Sequence, residues 1–151
     1  MGKLVQDATG NDLTYRIIGA AMAVHNSLGP GYKEEVYERA LTVELAERNI
    51  AAQPQFPVEV SHGGVPVALF YLDLLVESSV VVEVKAFPHQ LTNDELGQMI
   101  NYLKATSAPV GLLFNFGRRK LEYRQVFPSP QVDGAVQRLG RDNVKKADRA
   151  G

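Results

Sequence analysis

Apolar residues recur at spacings of three and four over residues 12–28, where Leu13, Ile17, Ala21, Val24 and Leu28 form one stripe, and this predicts an amphipathic helix. Gly29-Pro30-Gly31 ends it, because proline cannot continue a helix interior and glycine suits the turn beyond. The same period returns from about Lys33 to Asn49 through Val36, Tyr37, Ala40, Leu41 and Leu45. Glu34, Glu35 and Glu38 fall at the end where the helix dipole favours negative charge. After Gln53-Pro54-Gln55 the texture changes to β-branched and aromatic residues: Phe56 to Ser61, a His62-Gly63-Gly64 hairpin turn, then Val65 to Val76. Ser79 to Ala86 follows a short Glu77-Ser78 connection, and its valines, with little alternation, predict a strand covered on both faces. Residues 92–106 are helical through Leu96, Ile100 and Leu103, with Thr92 as N-cap and Glu95 as its capping-box partner. Pro109 to Phe116 reads as a buried strand. Beyond the turn-like Gly117-Arg118-Arg119, Lys120 to Phe127 reads as a last strand and 129–139 as a short helix.

The order ααβββαββ predicts an α/β fold, a mixed β-sheet flanked by helices. With 151 residues, 45% of them hydrophobic, the expectation is a single domain over 1–139 and a disordered basic tail over 140–151. No apolar run approaches the roughly 20 residues of a membrane helix, and the first residues lack the apolar stretch of a signal peptide, so a cytoplasmic protein is expected. The absence of cysteine excludes disulfides, thiolate nucleophiles and iron–sulfur clusters, leaving any metal to oxygen or imidazole ligands. The net charge of -1 hides an asymmetry: residues 1–117 carry 7 Lys/Arg and 13 Asp/Glu, whereas 118–151 carry 9 and 4. A basic C-terminal end is compatible with a phosphate-bearing partner and equally with a solvated tail.

Geometry makes the hairpin between Leu72 and Lys85 the most informative segment. A turn centred on Ser78 sets Asp73 opposite Glu83, with Cβ atoms about 4.5–5.5 Å apart on one face of the sheet. Two carboxylates there repel unless a cation lies between them. Lys85 points to the same face by the period of two. Oxygen-rich clusters suit magnesium or manganese, and a lysine beside the metal can stabilise charge developing on a phosphate. A structural Glu–Lys pair on a solvated face is the simpler alternative, but Glu83 lies within Val80-Val81-Val82-Glu83-Val84, apolar enough to be buried, where a charge must be paired or metal-bound. Glu34 shares the stripe of Tyr37 and Leu41, residues expected to pack inward, and a carboxylate there would want a partner; from the residues alone a dipole-stabilised surface glutamate, as Glu35 and Glu38 read, is the better reading. Glu95, Gln98 and Tyr102 line one polar face of the third helix, opposite Leu96, Ile100 and Leu103. Of the histidines, His25 reads as a surface or partly packed helix residue and His62 and His89 as turn residues, none of them a metal ligand.

Gly31-Tyr32-Lys33-Glu34-Glu35-Val36-Tyr37 reads G-x-x-E-x-x-Y, and over residues 12–127 the chain resembles the GxxExxY family, a compact branch of the PD-(D/E)xK nuclease superfamily. The resemblance implies a restriction-endonuclease-like core and a site made of an acid followed by E-x-K, filled here by Asp73 and Glu83-Val84-Lys85. It further implies an acid on the preceding helix, Glu34, and a Q-x-x-x-Y motif, Gln98 to Tyr102, on the following one. By that analogy Glu34, Asp73, Glu83 and the Val84 carbonyl would bind Mg2+ or Mn2+, Lys85 would assist the nucleophile, and Gln98 with Tyr102 would order the site. Relatives often have histidine three residues before the glutamine, where this chain has Glu95, and Leu72 replaces the proline of the superfamily name. The expected function is a divalent-metal-dependent nuclease hydrolysing phosphodiester bonds of DNA or RNA. The alternatives are a non-catalytic nucleic-acid- or partner-binding module on the same fold, and an enzyme acting on a small nucleotide. Arg118, Arg119, Lys120 and Arg124 are the substrate-contact candidates, since guanidinium groups grip phosphates bidentately. Specificity is left to a partner or to a homodimer.

Overall fold

The computed structural model describes residues 12–129; the helix expected over 129–139 and the basic tail over 140–151 lie essentially outside them. Helices α1 (Leu13–Leu28) and α2 (Glu34–Glu47) precede strands β1 (Ala52–His62), β2 (Val65–Val76) and β3 (Val80–Lys85). Helix α3 (Asn93–Thr106) and strands β4 (Val110–Asn115) and β5 (Glu122–Val126) complete the expected order. The five strands form one sheet in the order β1-β2-β3-β4-β5, antiparallel except for the parallel β3–β4 pair that α3 connects. Among the described residues no helix is long and apolar enough to cross a membrane.

Two apolar layers hold this sheet between helices. Leu74, Val76, Val80, Val82, Val84, Leu112 and Phe114 pack with α1 and α2, whereas Leu75, Val81 and Leu113 pack with Met99, Tyr102 and Leu103 of α3. Strand β3 is therefore buried on both faces, as its run of valines predicts. Strand β1 starts four residues earlier than its β-branched texture indicates, because Gln53 and Pro54 pair with Leu75 and Leu74 despite their low strand preference. Pro54 and Pro57 remove donors from this edge strand, which blunts it against pairing with another chain.

The α1–α2 junction shows what Gly31 and Tyr37 do. Gly29 and Gly31 adopt φ of 69° and 116°, conformations costly for a residue with a Cβ. Tyr37, fully buried and stacked on Phe116 at 4.8 Å, donates its hydroxyl proton to Gly29 O at 2.6 Å and accepts from Tyr32 N at 3.1 Å. One phenol thus fastens the turn that launches α2. Tyr37→Phe is expected to destabilise the protein by about 1–2 kcal/mol, since it leaves a carbonyl and an amide without their partner; a urea unfolding midpoint shifted without a change in slope would register the loss.

Candidate functional site

The register of β2 on β3 pairs Leu74 with Val82, Leu75 with Val81 and Val76 with Val80, which centres the turn on Ser78 as expected. Glu77 and Ser78 supply the turn with φ of 51° and 53°, although neither is a residue that turn chemistry favours there. The ladder ends at Leu74. One step further, side chains replace backbone pairing: Asp73 N donates to Glu83 Oε2 at 2.9 Å, and Val84 N donates to Asp73 Oδ2 at 2.8 Å. Two carboxyl groups on adjacent strands therefore clasp each other's backbone where the strands separate.

This position is apolar enough to disturb both acids. Glu83 is only 5% exposed, and burial, followed by the repulsion of Asp73, pushes its carboxyl up to about 8. Burial likewise raises Asp73, against the stabilising Val84 amide. Lys85, half-buried, draws both back toward ionisation, and by strand alternation it shares a face with Val81 and Glu83 on the α3 side. Asp73, Glu83 and Lys85 are thus brought together as the hairpin geometry predicts.

Tyr102 joins them from an unexpected direction. It does not lie on a polar helix face with Glu95 and Gln98; it is buried with Met99 and Leu103, its ring edge-on to Phe70 at 5.2 Å. Its phenol is raised by burial and then by the charges of Glu83 and Asp73. The helix is rotated relative to the expectation, with Met99 against the sheet over Gly111 of β4, where a Cβ would collide with the Met99 sulfur. Gln98 is exposed one turn away and makes no hydrogen bond to the acids among the described residues. Glu95 forms the expected capping box with Thr92. Hydrogen bonds from Thr92, and then the charge of Lys85, hold its carboxyl below the usual range.

The helical acid whose charge acts on the pair is Glu38. Its charge raises both Asp73 and Glu83, and its Oε2 accepts from Gln55 Nε2 at 2.8 Å. Glu34 is exposed in the first turn of α2, in line with the surface reading of its residue type, and lines an open cleft with Lys33, Glu35, Glu38 and Ala86. Glu38, one turn on, is the half-buried acid that a surface assignment overlooks.

Behind the site, fully buried Asn115 fixes the loop after β3. Its Oδ1 accepts from Phe87 N and Gly117 N, and its Nδ2 donates to His89 O and to Glu122 Oε1. Glu122 also accepts from Leu91 N and pairs with Arg118 at 3.5 Å and Arg124 at 3.8 Å. Neither Asn115 nor Glu122 carries a local sequence signal beyond a polar residue at the end of an apolar strand. Arg119 and Lys120 are exposed and line an open cleft with Arg118 and Glu122. His25 is buried, not on the helix surface, and its Nε2 meets Arg118 O at 2.8 Å. His62, read as a turn residue, is instead the last residue of β1, paired with Val65, and His89 lies in the loop after β3; both are exposed.

Among the described residues no three acidic or histidine side chains form a preformed metal cage. Magnesium nevertheless asks for little from a protein, commonly one or two carboxylates with waters and substrate phosphates completing its shell. Half-buried Asp73 and buried Glu83, two carboxyls that repel when both are charged, fit that requirement.

A family model described as "PD-(D/E)XK nuclease superfamily" matches residues 11–126. Among curated proteins none matches the chain. A solved structure, "Crystal structure of SSO0001", is similar at 14% identity with a TM-score of 0.46, covering 91% of this chain and 88% of that one.

Proposed function

Since the chain belongs to the PD-(D/E)XK nuclease superfamily, we propose that it is a divalent-metal-dependent nuclease, of the GxxExxY branch, whose centre is the Asp73–Glu83 clasp. The observation that carries this reading is the clasp of buried Glu83 and half-buried Asp73 at the point where β2 and β3 part, with Lys85 on the same face as Glu83. Asp73 and Glu83 would hold Mg2+ or Mn2+ with the Val84 carbonyl as a further oxygen ligand. The helical acid contributing charge there is Glu38, with Glu34 at the mouth of the adjoining cleft. When bound, the cation supplies polarisation of the scissile phosphate and acidification of a water.

The remaining roles belong to the chain. Lys85 places a positive charge where negative charge develops on the phosphoryl oxygens. Tyr102, its ring edge-on to Phe70 and its phenol within the field of both acids, would offer a hydroxyl donor near them. Gln98, exposed on α3, would meet substrate rather than the acids. Arg119 and Lys120 are the basic groups freest to contact the nucleic-acid backbone, because Arg118 and Arg124 already face Glu122.

The test separates metal binding from turnover. Titration calorimetry with Mg2+ and Mn2+ should show binding by the wild type. Lys85→Ala should retain it yet lose cleavage of a DNA and RNA panel by about 10²-fold or more, the scale of removing one charge-stabilising group. Wild-type protein that binds nucleic acid with steep salt dependence but neither binds metal nor cuts would instead be a binding module on a nuclease fold.

A further inference from the structure

Gln55 combines a conformation and a contact that strand formation does not explain. It stands between Pro54 and Phe56 in β1 with φ of 52°, a left-handed backbone that penalises a residue with a Cβ. Pro54 pairs with Leu74 and Phe56 with Leu72, but the intervening rung, Gln55 opposite Asp73, is missing. Across that gap the facing of β2 changes phase: Leu74 packs toward α1 and α2, whereas Leu72, two residues earlier, packs toward α3. Asp73 therefore sits at a dislocation of the sheet, free of β1 and clasped to β3.

Glycine or asparagine would accommodate this backbone at less cost. Glutamine adds the reach of its side chain, whose amide donates to Glu38 Oε2 at 2.8 Å. That leaves Glu38 Oε1 without a hydrogen-bond partner among the described residues, at the junction of two open clefts. We infer that Gln55 is a positioning residue, which fixes the Glu38 carboxylate beside the acidic pair from the strand position opposite Asp73. The inference rests on the reading of Asp73 and Glu83 as the metal-holding carboxylates.

Its test uses variants that the backbone accepts. Gln55→Gly relieves the left-handed strain and deletes the amide, while Gln55→Asn keeps an amide one carbon too short. Both are expected to melt at or above the wild-type temperature without metal. Both are expected to bind Mn2+ about tenfold more weakly by calorimetry, the low end of the loss seen when a partner behind a metal ligand is removed. Wild-type Mn2+ affinity in both variants, with weakened binding in Glu38→Gln, would overturn the positioning role and leave the site intact. A lowered melting temperature with unchanged affinity would overturn it too, marking Gln55 as purely structural. Wild-type affinity in Asp73→Asn would overturn the underlying site, and the inference with it.

Discussion

Asp73→Asn is expected to lower metal-dependent cleavage by on the order of 10³-fold, as for loss of a preorganised electrostatic element, while leaving the metal-free protein folded. The substitution preserves shape and keeps an oxygen that can accept from the Val84 amide. What it removes is one of the two charges between which a cation would be held. The pair is costly to the metal-free protein, because Glu83 is raised by burial and by Asp73. The variant should therefore be at least as stable as the wild type above pH 7. Opposite changes in activity and stability are the signature of groups retained for function. Cleavage assays at saturating Mg2+ alongside thermal melts would measure both. Undiminished cleavage would remove Asp73 from the site.

The metal-free protein is expected to lose stability between about pH 5 and pH 8, by on the order of 3 kcal/mol if most of the Glu83 shift is realised. The sign follows from the direction of the shift. Folding raises the Glu83 carboxyl from 4.5 to about 8 and raises Asp73 as well, so the folded state holds protons that the unfolded chain releases. Their contribution is complete below the ordinary carboxylate range and disappears as pH rises through about 8. A cation that binds the ionised pair should reverse the trend, with Mg2+ raising the melting temperature most at the alkaline end. Glu83→Gln, which keeps an acceptor for the Asp73 amide, should flatten the profile. Denaturant titrations at several pH values, with and without Mg2+, would measure these slopes. A profile indifferent to Glu83→Gln would show that the acids do not repel.

Local chemistry determined much of this protein. Period-3.6 stripes place α1 and α2, the Gly63-Gly64 turn places the first hairpin, and the Thr92–Glu95 box starts α3. Each of these signals acts within a few residues. The Asp73–Glu83 pairing was legible for the same reason, since a short turn fixes register and register fixes which side chains meet. The Gly31-to-Tyr37 and Glu83-to-Lys85 motifs likewise carry the resemblance in contiguous residues.

Tertiary structure decided the rest, because the remaining features depend on what packs against each element. Whether Glu34 or Glu38 acts on the acids depends on how α2 packs: Glu34 stays exposed while Glu38, one turn on, is half-buried with its charge felt by both acids. Tyr102 turns inward together with Met99, which sits over Gly111 across the layer. Gln55 meets Glu38 through a left-handed strand residue that no pattern of polar and apolar positions encodes. Asn115 and Glu122 bind a loop more than twenty residues away in the chain. Contacts of that range are made by the packing of whole layers, and a local pattern does not record them.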